Sequence, residues 1–178
     1  MVPEASAAPR LAAYAIDNER HLGRWEPPRP EGYFTDLYWE RRIERSLYER
    51  DHDLSLRLAI FRRGDSDHGP VLGQVNFSNF IRGGFQACTL GYSVDRRSEG
   101  KGILTEALRA ALPFLFEELS FHRVMANYIP TNERSGRLLR RLGFVVEGYA
   151  RDYLFIGGSY QDHVLTALTN PNPVPPKR

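Results

Sequence analysis

The stretch Leu90-Gly-Tyr-Ser-Val-Asp-Arg-Arg-Ser-Glu-Gly-Lys-Gly-Ile-Leu-Thr-Glu-Ala-Leu108 decides how this chain is read. Leu90 to Val94 has the composition of a buried strand, Arg97 to Gly102 is a tight glycine loop, and apolar residues then recur at helical spacing. Gly100 and Gly102 carry no Cβ, so the backbone is free to take φ > 0 and its amides can approach another group closely. The helix behind them brings unpaired N–H groups and a partial positive charge at its first turn. Strand, loop and helix start together make a seat for a phosphate or diphosphate. Two common phosphate loops are excluded. There is no Gly-x-x-x-x-Gly-Lys-Ser/Thr, and no Gly-x-Gly-x-x-Gly followed by a strand ending in an acidic residue. A bare Gly-x-Gly after a strand is often only a turn, so the flanking sequence has to decide.

A length of 178 residues suits one domain with its own core, expected over 1–170 with a proline-rich tail at 171–178. Apolar content of 42% and charged content of 26% are those of an ordinary globular chain. A net charge of +2 is too small to point to nucleic acid, and no direct nucleic-acid motif is present. The single cysteine, Cys88, lies in an apolar strand and reads as a buried thiol in a reducing compartment. No apolar run is long enough to span a bilayer and no leader opens the chain, so no membrane role and a cytoplasmic location are expected. The five histidines are scattered without ligand spacing, so no metal is expected.

Ala5 to Leu22 reads as a helix with Pro9 in its first turn, and Thr35 caps a second helix reaching about Arg50. Leu54 to Arg62 alternates as a strand. Val71 to Ile81 and Phe85 to Val94 form the next two, turned at Arg82-Gly-Gly84. Leu104 to Leu119 is the helix behind the loop, with Pro113 expected to kink or shorten it. Arg123 to Ile129 is a short strand; Thr131 or Asn132 caps the following helix, which Gly143 ends. Val145 to Phe155 and Tyr160 to Leu168 close the chain as a hairpin around Gly157-Gly158. The expected class is α+β: a mixed, mostly antiparallel central sheet flanked by helices, with parallel pairing across the loop helix.

Arg97-x-x-Gly100-x-Gly102 resembles the Arg/Gln-x-x-Gly-x-Gly/Ala signature of the GNAT acetyltransferase superfamily. Asn76 to Ser93, His122 to Gly136, Leu142 to Leu154, Asp162 to Leu168 and Trp25-Glu-Pro27 are similar to the RimJ-type branch, the ribosomal-protein-alanine acetyltransferases. The resemblance runs from about Arg10 to about Leu168 and implies the GNAT fold, with acetyl-CoA as co-substrate. RimJ-type chains usually begin with a strand before the first helix. Met1-Val-Pro3 stands in its place, so that first strand is expected to be missing or truncated.

The implied reaction is attack of an amine on the thioester of acetyl-CoA. It needs an unprotonated amine, a donor to the oxyanion and a proton for the thiolate. The resemblance assigns the cofactor to Tyr92, Ser93 and Val94 on the strand, to Arg97, Ser98, Gly100, Lys101, Gly102 and Ile103 in the loop, and to Asn132. The Val94 N–H is the natural oxyanion donor, whether or not Val94 also serves the core. Ser135, one turn after Asn132 on the same helix face, is the candidate proton donor to the thiolate, where many relatives use a Tyr at the position of Leu139. A surface serine and a simple N-cap remain the plain readings of Ser135 and Asn132. Asn76, Ser78, Tyr149 and Tyr153 are the candidate acceptor-binding residues. No general base emerges. Thr89 stands where RimL-type relatives carry Glu, and His122 and His163 read first as structural. An α-amine has pKa ~7.7–8.0 against ~10.4 for lysine, so roughly a tenth of it is neutral at pH 7. A site with no strong base therefore favours a peptide N-terminus.

The resemblance implies transfer to a protein N-terminal α-amine, foremost the N-terminal alanine of a small-subunit ribosomal protein, with association with the ribosome. The alternatives are a small-molecule acetyltransferase for aminoglycosides or polyamines, and a catalytically silent ribosome-assembly module.

Overall fold

Strict alternation sets the first three strands, β1 (Leu56–Ile60), β2 (Gly73–Ile81) and β3 (Ala87–Val94), which form an antiparallel meander. Leu56, Val75, Phe77 and Leu90 are buried on one face, and Ala59 on the other. This computed structural model describes residues 1–65 and 68–173. The sheet continues through β4 (Arg123–Tyr128), β5 (Val145–Ile156) and β6 (Ser159–Thr169), in the order β1-β2-β3-β4-β6-β5. Among the described residues β3 and β4 alone pair in parallel, as a helical crossover between them requires.

Helices cover both faces. On one lie α4 (Ile103–Glu117) and α5 (Glu133–Arg141), with Leu108, Leu115, Leu139 and Phe144 packed on the sheet. On the other lie α1 (Ala8–Asp17), α2 (Glu19–Leu22) and α3 (Asp36–Asp51), with Leu11, Trp39 and Ile43 buried beneath them. Burying side chains of this size is worth about 1.5–3 kcal/mol each.

Several expected boundaries shift. The helix expected from Ala5 to Leu22 opens as a 3-10 turn at Ala5–Ala7 and breaks at Asn18, whose amide bonds to another part of the chain. The strand expected from Leu54 begins at Leu56, and Leu54 is half exposed. Pro113 does not end α4: the helix runs four residues further, with the proline on its solvent face, where water can meet the carbonyl it leaves unpaired. Thr35 and Asn132 cap α3 and α5 by accepting from the Tyr38 and Ser135 N–H groups. Gly143 ends α5 in the left-handed region at φ 90°. Among the described residues no strand precedes α1; Met1 exchanges two backbone hydrogen bonds with Ala59 instead, at 3.0 and 2.9 Å. Residues 174–178 of the expected tail lie outside the described residues.

Candidate active site

The pairing of β3 with β4 stops at Thr89–Met125. Beyond it β4 stays with β6 as far as Tyr128, so β3 from Leu90 to Val94 leaves its neighbour and faces a cleft of about 930 Å³. The backbone direction on that edge can be worked out. The Asp95 N–H donates to Leu72 on the β2 side, and a Cβ on Gly73 would meet the Ser93 carbonyl at 2.5 Å. Strand alternation therefore turns the Tyr92 and Val94 backbone groups the other way, into the cleft. This is the geometry an oxyanion donor at Val94 needs.

The side chains of β3 alternate as well. Ser93 faces the α1–α3 side, where its hydroxyl accepts from Tyr14 at 2.8 Å. Tyr92 faces α5, and its hydroxyl lies 2.6 Å from Ser135 Oγ. Burial pushes the Tyr92 phenol up to about 12, against the smaller opposing effect of the Ser135 bond, so it stays protonated at neutral pH. Sequence reasoning placed Tyr92 only along the cofactor; its hydroxyl partnership with Ser135 comes from the α5 packing. Leu139, where many relatives carry Tyr, is buried in the core.

The glycine loop follows directly. Gly100 and Gly102 sit at φ 73° and 78°, a region that strains any side chain. Gly102 is the N-cap of α4. A second pocket of about 610 Å³ lies here and shares Val94 and Leu104 with the main cleft. Arg96, Arg134, Arg137 and Arg141 line it together with Glu99, which pairs with Arg134, while Arg137 pairs with Glu133 at 2.9 Å; sequence reasoning missed this mostly basic surround although 134, 137 and 141 fall at one-turn steps along α5. The Arg97 guanidinium bonds to Asp17 at 2.7 Å and to Asp95, turned to the base of the loop. Ser98 and Ile103 line the pocket, while Lys101 projects into solvent. Open left-handed amides, a helix N-terminus and surrounding arginines fit a diphosphate.

A buried clamp sets the loop. Asn18 Nδ2 donates to the Tyr14 carbonyl at 2.9 Å and to Asp95 Oδ1 at 3.2 Å, while its Oδ1 accepts the Arg96 N–H at 2.9 Å. Burial pushes the Asp95 carboxyl up, but hydrogen bonds from Arg97 and Asn18 outweigh it and hold the group below the usual carboxylate range.

Gln74 and Asn76 from β2, Arg57 from β1, Arg42 from α3 and Glu26 also line the cleft. Ser78 lies farther along β2, opposite Thr89. Burial lifts the Glu26 carboxyl above the usual range, only partly offset by Arg29 at 2.7 Å. Tyr149 is exposed and donates to Asp162 at 2.6 Å. Asp162 also accepts the Asp152 N–H, holding an irregular step in β5 where Asp152 takes φ 47°. That step brings the Tyr153 hydroxyl to the Asn127 amide, at 3.0 Å, on the cleft wall. His163 is buried in the same wall with Nδ1 on the Gln161 carbonyl; His122 is exposed and away from the cleft. Cys88 is buried, and burial pushes its thiol up to about 12. Among the described residues no group of three or more His, Cys, Asp or Glu side chains is placed to hold a metal ion.

A parting pair of parallel strands, a left-handed glycine loop and a helix start are the marks of an acetyl-CoA-dependent transferase. The family model for the acetyltransferase (GNAT) domain matches residues 3–145, and the chain belongs to that family. It is 45% identical over 166 residues to the ribosomal protein uS5-alanine N-acetyltransferase of Escherichia coli (strain K12), covering 93% of this chain and 84% of that protein. A crystal structure of ribosomal-protein-S5-alanine acetyltransferase from Vibrio fischeri superposes with a TM-score of 0.93 at 36% identity, covering 98% of this chain and 94% of the other. Mycobacterium smegmatis RimJ, solved in complex with CoA-disulfide, gives 0.86 at 27% identity, covering 94% and 79%. The chain is an acyltransferase of the GNAT fold that uses acetyl-CoA.

Proposed function

We propose that this chain acetylates the N-terminal α-amine of a protein, and that its substrate is the N-terminal alanine of ribosomal protein uS5. The observation that carries the reading is the acceptor end of the cleft. It is walled by Gln74 and Asn76 and bordered by Arg42 and Arg57. Guanidinium groups there disfavour polyamines and aminoglycosides, which arrive as polycations. The printed activities of the Escherichia coli and Vibrio fischeri relatives support the same substrate. Left-handed amides at the loop and a hydroxyl pair beside the thioester position speak against a silent binding module.

Acetyl-CoA supplies an electrophilic thioester carbonyl. The loop amides and the α4 N-terminus hold its diphosphate, with Arg96, Arg134, Arg137 and Arg141 around them. Asn132 spends its Oδ1 on the α5 cap, which leaves its Nδ2 for the pantetheine arm. The Val94 N–H donates to the carbonyl oxygen as it gains charge. The acceptor amine loses its proton to Glu26, directly or through water, as the N–C bond forms. The C–S bond breaks and the thiolate takes a proton from Ser135, which Tyr92 supports through the shared hydrogen bond. Asn76 borders the acceptor; Tyr153 stands behind Asn127 and His163 of the cleft wall, and Ser78 and Tyr149 stand outside the cleft. The catalytic domain spans 1–170, acts in the cytoplasm and meets its substrate on or near the ribosome.

The test is thiol release from acetyl-CoA with an Ala-starting peptide, a Ser-starting peptide, spermidine and kanamycin, together with mass spectrometry of uS5 in cells with and without the gene. Turnover with the alanine peptide and loss of uS5 acetylation are expected. Turnover with spermidine or kanamycin alone would overturn the reading.

A further inference from the structure

On the α3 side of the sheet the cleft runs outward from β3. Gly91 stands opposite Asn76 on β2, and Asn76 opposite Arg57 on β1, so the three form one row across the sheet. Arg57 shares its face with Ala59, which is buried under α1 and α3. Arg42 comes down from α3 to the same place. Both arginines line the cleft and a recess of about 80 Å³ beneath α3 that opens beside it.

The charges there do not balance. Glu49 lies 3.7 Å from Arg42 and 3.5 Å from Arg57. Its oxygens already accept from Arg45 at 2.8 Å and from Ser55 at 2.7 Å. Arg57 Nε is buried and reaches Glu49 only at 3.5 Å, longer than an ordinary hydrogen bond. Burial first, then repulsion from Arg42, pushes the Arg57 pKa below its ordinary value, although it remains a cation. An anion arriving at this place would offset the repulsion between the two guanidinium groups.

We propose that Arg42 and Arg57 form a subsite for an acidic side chain at the third or fourth residue of the acceptor peptide. This inference rests on the N-terminal acetylation reading given above. The placement follows from strand geometry. Three residues along β3 from Val94 to Gly91 and two strand spacings to β1 put Arg57 about 14 Å from the reacting amide. An extended peptide advances about 3.3 Å per residue, so its third and fourth residues stand about 7 and 10 Å from its first, and their side chains together with that of Arg57 span the rest. A carboxylate there completes charge-assisted hydrogen bonds that Glu49 leaves open.

The experiment uses Ala-initiated decapeptides carrying Glu, Gln or Lys at each of positions two to five, with kcat/KM read by thiol release. A charge-assisted hydrogen bond of about 1.5–3 kcal/mol corresponds to about a ten- to hundredfold preference for Glu over Gln at position three or four, with Lys poorer still. In Arg57→Gln and Arg42→Gln the ratio of Glu to Gln rates falls toward one, and Arg57→Lys restores part of it. Less than a twofold difference between Glu and Gln at all four positions overturns the subsite, as does a preference confined to positions two or five. The wild-type series alone decides this, whatever the variants do to folding. If alanine peptides are acetylated without charge preference, the subsite fails and the α-amine reading stands; if none is acetylated, both fall.

Discussion

Asn18→Ala removes the clamp beneath the phosphate loop, and the structure allows its cost to be worked out. The substitution deletes the Nδ2 bond to the Asp95 carboxylate and leaves the Arg96 N–H without its acceptor, at a site where Asn18 is 1% exposed. A hydrogen bond to a charged group is worth about 1.5–3 kcal/mol and a buried orphaned donor costs about 1–3 kcal/mol, so the sum is about 2.5–6 kcal/mol. For a chain of this size that corresponds to a fall in Tm of about 5–24 °C. The loop should lose its fixed start, so CoA affinity falls by about tenfold, equivalent to ~1.4 kcal/mol. There is a pH signature too. Asp95 is held below its ordinary value when folded, so its stabilisation is present above about pH 3.9 and is lost as the pH falls through the lower folded value. With Asn18 gone the folded value rises toward the ordinary one, and acid unfolding begins at higher pH. Calorimetric melting from pH 3 to 7, with CoA titration at pH 7, measures all three. A Tm shift below about 2 °C with unchanged CoA affinity would refute the clamp.

Ser135→Ala and Tyr92→Phe should each lower kcat by about 10- to 1000-fold with little change in CoA affinity, and the double variant should cost less than the product of the two, because both serve one proton path. Independent, multiplicative effects would separate them. Glu26→Gln should lower kcat/KM by about a hundredfold at pH 7 and recover as the pH passes the pKa of the α-amine, about 8, where the acceptor no longer needs a base. A loss that is equal at every pH would remove Glu26 from the proton path. Cys88, pushed up to about 12 by burial, should resist iodoacetamide at pH 8 in the folded protein and react on unfolding, as followed by intact mass. Labelling of the native protein at the rate of a free thiol would contradict its place in the core.

Much of this was legible because local rules governed it. Gly100 and Gly102 announced the loop, alternation announced the strands, and Asn132 and Gly143 marked the ends of α5. What stayed hidden depends on residues far apart in the chain. Asn18 reads as an ordinary helical asparagine until the fold sets it against Asp95 and Arg96, 77 and 78 positions away. Arg97, the charged member of the loop signature, turns to Asp17 and Asp95 because those carboxylates reach it first. The arginines of α5 look like a solvated helix face, and only the parting of β3 from β4 places them around the loop pocket. The step in β5 at Asp152 has no glycine to mark it; Asp162, ten residues on, holds it. Pro113 stands on the exposed side of α4, where the helix continues to Glu117.

The central claim is that main-chain amides at the start of α4 hold the diphosphate of CoA. Amide NMR of the labelled protein titrated with CoA, and separately with pantetheine, which lacks the diphosphate, tests it most directly. The largest shifts should fall on Gly100 to Ile103 with CoA and be absent there with pantetheine, which should still perturb Tyr92 to Val94. Equal shifts at the loop from both ligands, or none from CoA, would contradict it.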